Sequence, residues 1–120
     1  DEIKSIITEL RSHFQHRHIC AVFQPRSEYI THKNKISYCK SFLGADSMLV
    51  TDVFGEDRKK IPRVKDIIAH MKYYSQLKTA KRAYNYKDII SYIKNDVPNN
   101  GLVVLVGLKN IESITRDLKL

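Results

Sequence analysis

A chain of 120 residues with 42% apolar content is long enough for one domain built around one core. No run of 18 or more apolar residues occurs, so no membrane-spanning helix is expected, and the opening DEIKSIITEL has no signal-peptide pattern. A formal charge of +8 suits an anionic partner, whether nucleic acid, a phosphate-bearing ligand or an anionic surface, but charge alone selects none of them. The start at Asp1 instead of methionine is what a fragment or a processed chain shows. Two cysteines, Cys20 and Cys39, are too few for a disulfide scaffold and are expected to be buried or half-buried thiols in a reducing cytosol.

In chain order, DEIKSIITELRSHF places Ile3, Ile6, Ile7, Leu10 and Phe14 on one helical stripe. HICAVFQP follows without alternation, as a strand covered on both faces, and Pro25 ends it by removing a backbone donor. KNKISYCKSFLG brings Ile36, Cys39, Phe42 and Leu43 to helical spacing, with Thr31 or Asn34 as cap and Gly44 as terminator. SMLVTDVF is a second continuous apolar strand, and the charged GEDRKKIP loop follows it. VKDIIAHMKYY is helical through Val64, Ile67, Ile68 and Met71. TAKRAYN is a weaker strand, in a region where a further, antiparallel strand is also conceivable. YKDIISYIKNDV is helical through Tyr86, Ile89, Ile90, Ile93 and Val97, with Asn85 as N-cap and Asp88 three residues on. After the PNNG turn, LVVLVG is the clearest buried strand. NIESITRDLKL closes the chain as a helix capped by Asn110.

One helix followed by four strand–helix units implies a mostly parallel sheet, right-handed crossovers and helices on both faces. The expected architecture is a three-layer, Rossmann-like α/β domain over residues 1–120. Ligands of such sheets gather at the carboxyl ends of the strands. That edge offers the loops 24–32, 52–62, the Asn85 turn and 107–110.

Few of these loops carry a recognisable chemistry. Neither GxGxxG nor GxxxxGK[ST] occurs, and the single Gly107 before the last helix is read as a tight turn. His13, His16 and His18 cluster at the edge opposite the ligand side and read as a solvated helix end, favourable near the negative end of the dipole. His32 lies on the ligand side, and His70 reads as a partly exposed helix residue. Asp52, Glu56 and Asp57 follow the second strand and have Arg58, Lys59 and Lys60 beside them. Tyr73, Tyr74, Tyr84 and Tyr86 lie near basic residues without any RNA-recognition signature. No nucleophile–base pair and no metal cluster can be assembled.

Three blocks carry a family resemblance. EIKSIITELRSHFQHRHICAVFQP, ending in Val22, Phe23, Gln24 and Pro25, resembles the start of the carboxy-terminal domain of Mur ligases. GADSMLVTDVFGED is similar to the next block through Ala45, Asp46, Asp52, Val53, Phe54, Gly55 and Glu56, and Pro62 and Val64 fit the approach to the following helix. NNGLVVLVGLKNIESITRDL resembles the last block through Gly101, Val104, Leu105, Gly107 and Ile111. The blocks are most like the branch that joins L-alanine to UDP-N-acetylmuramate, with a related ligase that adds a peptide to UDP-muramate close behind.

The resemblance implies one domain of a three-domain, cytoplasmic, ATP-dependent ligase of peptidoglycan synthesis. An acyl phosphate formed from the muramyl carboxylate is attacked by an amino acid's amine. ATP and magnesium belong to the full-length enzyme, and this domain, inactive alone, helps place the substrates on closure. Carried over, Gln24, Arg26, Thr31 and His32 would bind substrate. Asp52, Phe54 and Glu56 would contact nucleotide or the neighbouring loop. No catalytic residue and no metal ligand is assigned. The sequence departs from the family after Pro25, where Arg26-Ser27-Glu28-Tyr29-Ile30-Thr31 retains one cation in place of several, and Leu108 and Lys109 replace small residues. The alternative from another class is a non-enzymatic basic module that binds an anionic partner such as nucleic acid.

Overall fold

The computed structural model describes residues 2–24, 35–51, 64–77, 79–108 and 111–118. The elements alternate as the apolar patterning requires: α1 (Glu2–His13), β1 (Ile19–Phe23), α2 (Lys35–Ser41), β2 (Ser47–Thr51), α3 (Val64–Ser75), β3 (Thr79–Ala83), α4 (Tyr86–Asp96), β4 (Leu102–Val106) and α5 (Ile111–Asp117). The four strands form one sheet in the order β3-β2-β1-β4, and every pairing is parallel. The strand in the SQLKTAKRAY region is thus β3 itself, parallel like the others.

Two apolar layers sandwich the sheet. On one face Ala21, Phe23, Met48, Val50 and Ala80 meet Ile7 of α1, Cys39 of α2 with Phe42 just beyond it, and Ile67 and Met71 of α3. The tilted rings of Phe23 and Phe42 stand 5.1 Å apart, a pairing worth about 0.5–1.5 kcal/mol beyond area burial. On the other face Cys20, Val22, Leu49 and Ala83 meet Ile89 and Tyr92 of α4 and Ile114 of α5. Alternate residues of one strand therefore feed different cores, which is why β1 and β2 are apolar throughout.

Helix boundaries follow local chemistry. Asn85 caps α4 by accepting from the Asp88 N–H at 2.9 Å, and the Asp88 carboxylate accepts from the Tyr84 N–H at 2.9 Å. Gly44, at φ +103°, follows α2 where that helix gives out. The caps proposed for α2 and α5, Thr31 or Asn34 and Asn110, lie outside the described residues.

The helical stripes are narrower than their periodicity suggests. Ile7 is buried, but Ile6, about 100° around the helix from it, is 49% exposed. Phe14, Ile36, Leu43 and Ile111 are exposed as well. Five-residue strands give each helix room to bury about one residue per turn, so the flanks of the stripe stay in water. Conversely, Tyr92, absent from the expected face of α4, is buried.

LVVLVG departs most from expectation. It forms β4, an outer strand of the sheet whose five residues are only half-buried. Burial on both sides requires a neighbour on both sides, and among the described residues β4 pairs only with β1.

Candidate functional site

The connections place a reversal of winding at the carboxyl edge. After β1 the chain passes to α2 on one face of the sheet, and after β4 it passes to α5 on the other. The carboxyl ends of β1 and β4 are thus where the winding reverses, the position at which open α/β sheets bind ligands.

Gln24 is the first residue beyond β1 and is 5% exposed. Its N–H donates to the Val106 carbonyl at 3.0 Å. Its own carbonyl faces Gly107 so closely that a Cβ there would lie 2.7 Å from the Gln24 oxygen. Gly107 also has φ +75°, in the left-handed region. The chain bends at Gly107, where both conformation and close approach require glycine, and the rest of the turn expected there lies outside the described residues.

One step beyond the registered pairs Phe23↔Val50 and Phe23↔Val106, Gln24 falls between Thr51 and Gly107. By alternation these three follow Val22, Leu49 and Leu105, all in the α4/α5 core, so they share that face. Thr51 is 2% exposed, and its Oγ1 is buried with no hydrogen-bond partner. A buried hydroxyl left unsatisfied costs about 1–3 kcal/mol. Continuing the register by one residue thus brings an amide-bearing residue and an unpartnered hydroxyl to the same edge, groups that can offer donors and acceptors to a polar ligand group.

Of the residues expected to form the site, Gln24 alone is described, at the carboxyl end of β1. Arg26, Thr31, His32, Asp52, Phe54 and Glu56 lie outside the described residues, as does Lys109. The segments carrying them follow Gln24, Thr51 and Leu108 in sequence. Thr51 was not singled out from sequence. Its signal was modest: a polar residue closing the apolar SMLVT run immediately before Asp52.

Polar groups at the opposite edge serve the fold. Arg11 donates to the carbonyls of Gly44 (2.7 and 3.0 Å), Gln15 (3.2 Å) and Arg17 (2.9 Å) and to the Asp46 carboxylate (2.5 Å). Asp46 also accepts from the Ile19 N–H at 2.8 Å. Partial burial pushes the Asp46 carboxyl up, but the Ile19 N–H and the Arg11 guanidinium outweigh it and hold the group below its ordinary value. His18 Nε2 and Ser47 Oγ share a hydrogen bond of 2.8 Å, and Cys20 and Tyr92 also bond to Ser47. Burial pushes the Cys20 thiol up to about 11, against the lowering effect of Ser47. Both cysteines are buried thiols outside any disulfide. Among the described residues no group of three His, Cys, Asp or Glu side chains is placed to hold a metal. No helix among them is long and apolar enough to cross a membrane.

Fold and edge together define a small doubly wound α/β domain with polar residues at its winding reversal. The more particular likeness comes from known proteins. No protein-family model matches the chain. It is 22% identical over 110 residues to the UDP-N-acetylmuramate–L-alanine ligase of Clostridium novyi, covering 92% of this chain and 24% of the relative. The enzyme of that name from Caldanaerobacter subterraneus is 25% identical over 108 residues, covering 88% and 23%. A crystal structure of a murein peptide ligase from Psychrobacter arcticus superposes with a TM-score of 0.73 at 18% identity, covering 98% of this chain and 24% of that one. A Haemophilus ducreyi domain, assigned to a UDP-N-acetylmuramate:L-alanyl-γ-D-glutamyl-meso-diaminopimelate ligase, gives 0.67 at 19% identity, covering 98% and 78%. The resemblance to the carboxy-terminal domain of Mur ligases is borne out by these matches. The chain spans about a quarter of the length of the curated relatives it matches.

Proposed function

We propose that this chain is the carboxy-terminal, substrate-positioning domain of an ATP-dependent ligase that joins L-alanine to UDP-N-acetylmuramate. The observation that carries the reading is the arrangement of the carboxyl edge. Gln24, in the block that resembles the family, borders Thr51 and Gly107 at the winding reversal. Similarity along nearly the whole chain to ligases of that name supports the choice of reaction.

In this reading Gln24 and Thr51 hold a polar part of the substrate. Arg26, Thr31 and His32 extend that site after β1. Asp52, Phe54 and Glu56 meet the nucleotide or the adjoining loop after β2. ATP and magnesium belong, in this reading, to the full-length enzyme. The domain's contribution is proximity, since fixing the amine near an activated carboxyl removes much of the entropic barrier to amide formation. The domain alone forms no amide, and the parent protein works in the cytoplasm.

The test is amide formation by the parent polypeptide, followed as phosphate released in the presence of ATP, UDP-N-acetylmuramate and L-alanine. Release that requires all three supports the reading. A parent with no nucleotide-binding P-loop upstream of Asp1, or one that releases no phosphate with any amino acid or muramyl peptide, refutes it. Arg26→Ala separates site from scaffold: an unchanged KM and kcat would remove Arg26 from the substrate site.

A further inference from the structure

Much of the chain's positive charge gathers around β3, the outer strand opposite β4. Residues 70–95 hold Lys72, Lys78, Lys81, Arg82, Lys87 and Lys94 against a single acid, Asp88. That acid is engaged within the fold, its carboxylate accepting from the Tyr84 N–H and its own N–H donating to the Asn85 cap. Tyr73, Tyr74, Tyr84, Tyr86 and Tyr92 fall in the same stretch.

Strand alternation sends the two cations of β3 to opposite faces of the sheet. Ala80 packs in the α1–α3 core and Ala83 in the α4/α5 core, so Arg82 shares a face with Ala80 and Lys81 with Ala83. The Lys81 ammonium accordingly stands 5.8 Å from the Tyr92 ring of α4, and the Arg82 guanidinium 4.4 Å from the Tyr84 ring, two residues on. Both cations stay exposed. Tyr84 follows the carboxyl end of β3 and is 62% exposed. Tyr73, in the last turn of α3, is 78% exposed and meets Tyr74 edge-on at 4.9 Å. Only residues 76–78 join α3 to β3, so Tyr73 lies near the amino end of that strand. The two exposed rings thus mark opposite ends of β3, with Lys81 and Arg82 between them. Five strand residues span ~16 Å, the length of about five stacked nucleotides.

The composition of this strip narrows its partner. Among the described residues, the large apolar side chains exposed on α1, on and after α2 and on α5 include Ile6, Ile36, Leu43 and Ile111, whereas those beside β3 are the two tyrosines. A protein partner calls for an apolar, charge-poor centre. A lipid surface calls for an apolar face to insert. Tyrosine rings set among Lys and Arg supply neither. They supply ring faces for bases and cations for phosphates, the combination that holds single strands. A duplex keeps its base faces stacked inside, so the rings select the single strand. No group here is placed to read base edges in a groove, so the binding is tolerant of sequence.

We propose that the outer flank of β3 is a binding surface for single-stranded nucleic acid, with Lys81 and Arg82 meeting phosphates and Tyr73 and Tyr84 stacking on bases. Lys87, exposed in the first turn of α4 just after Tyr84, extends the cationic track. The strip runs along the flank of the sheet, whereas Gln24 and Gly107 belong to strands two and three places away. The inference is independent of the activity proposed above.

The test is the fluorescence anisotropy of a short labelled oligothymidylate titrated with the parent polypeptide. Binding should weaken as salt rises, and a duplex of equal length should bind about tenfold or more weakly. Lys81→Gln with Arg82→Gln should flatten the plot of log K against log salt by about 1.4, since each phosphate contact on a single strand contributes about 0.7. Lys4→Gln with Arg116→Gln removes the same charge from α1 and α5 and should change that slope by less than half as much. Tyr73→Ala and Tyr84→Ala should each weaken binding about fivefold or more, while Tyr84→Phe, which keeps the ring, should stay within about twofold of the parent. The substituted side chains are all exposed, so the variants should keep the parent's circular dichroism. No binding, equal binding of the duplex, an equal effect of the Lys4 and Arg116 pair, or unchanged affinity in both alanine variants each overturns the proposal. Tighter binding of anionic lipid vesicles or of polyglutamate than of the oligonucleotide also overturns it, in favour of a membrane or an acidic protein.

Discussion

Gly107→Ala tests the geometry of the carboxyl edge directly. The residue has φ +75°, and an added Cβ would stand 2.7 Å from the Gln24 carbonyl oxygen. The obstacle is backbone at the end of a buried strand, which cannot turn aside as a flexible side chain can. An L-residue in the left-handed region costs ~1–2 kcal/mol and forced overpacking ~1–3 kcal/mol, together about 2–5 kcal/mol. For 120 residues the whole stability is on the order of 6–18 kcal/mol, so this is a large fraction of it. With an unfolding entropy of about 0.25 kcal/mol/K at this size, Tm should fall by roughly 8–20 °C. Urea unfolding followed by circular dichroism gives the free energy, provided the denaturant slope is unchanged. Gly107→Asn separates the two causes. Asparagine tolerates the left-handed conformation but carries the same Cβ, so it should recover only the conformational part. An asparagine variant within ~0.5 kcal/mol of the parent, below the cost of any overpacking, would show that Gly107 does not press on Gln24.

Three further outcomes follow from the same structure. Thr51→Val deletes the unpartnered hydroxyl at constant shape. It should stabilise the domain by about 1 kcal/mol while weakening substrate use by the parent, and a loss of stability would mean that the hydroxyl is already satisfied. Asp46 has a folded-state value below its unfolded one. The stability it contributes is therefore complete above the unfolded value, about 3.9, and is lost as pH falls through the lower folded value. Asp46→Asn should flatten the acid limb of a stability–pH curve in that window, and an unaltered limb would contradict the assignment. Cys20, raised by burial to about 11, and Cys39, equally buried, should resist iodoacetamide at pH 8 in the folded protein and react once it is unfolded. Rapid labelling of either in the folded state would count against the packing of β1 or α2.

Some of this was legible in the residues themselves. Val22, Phe23 and Gln24 ending one apolar run, and Gly107 ending another, mark strand ends that topology assigns to the ligand edge. Asn85 with Asp88 announces a helix start through chemistry confined to four residues. Other features depend on which distant segments become neighbours. Thr51 looked like any strand-terminal threonine, and its hydroxyl became notable only once the sheet buried it without a hydrogen-bond partner. Arg11 gave no sign of organising the far edge, because its partners Gly44 and Asp46 lie more than thirty residues away.

Periodicity and composition thus determined the element order, the parallel sheet with helices on both faces, and the candidate ligand edge. These follow from local propensity, from short connections and from the handedness of crossovers. Tertiary structure alone decided the strand order β3-β2-β1-β4, and with it the fate of LVVLVG. An apolar run specifies that a strand seeks cover, but not how many neighbours the rest of the chain supplies. Burial is a property of the assembled sheet, so the same five residues that read as an interior strand form, among the described residues, an outer one.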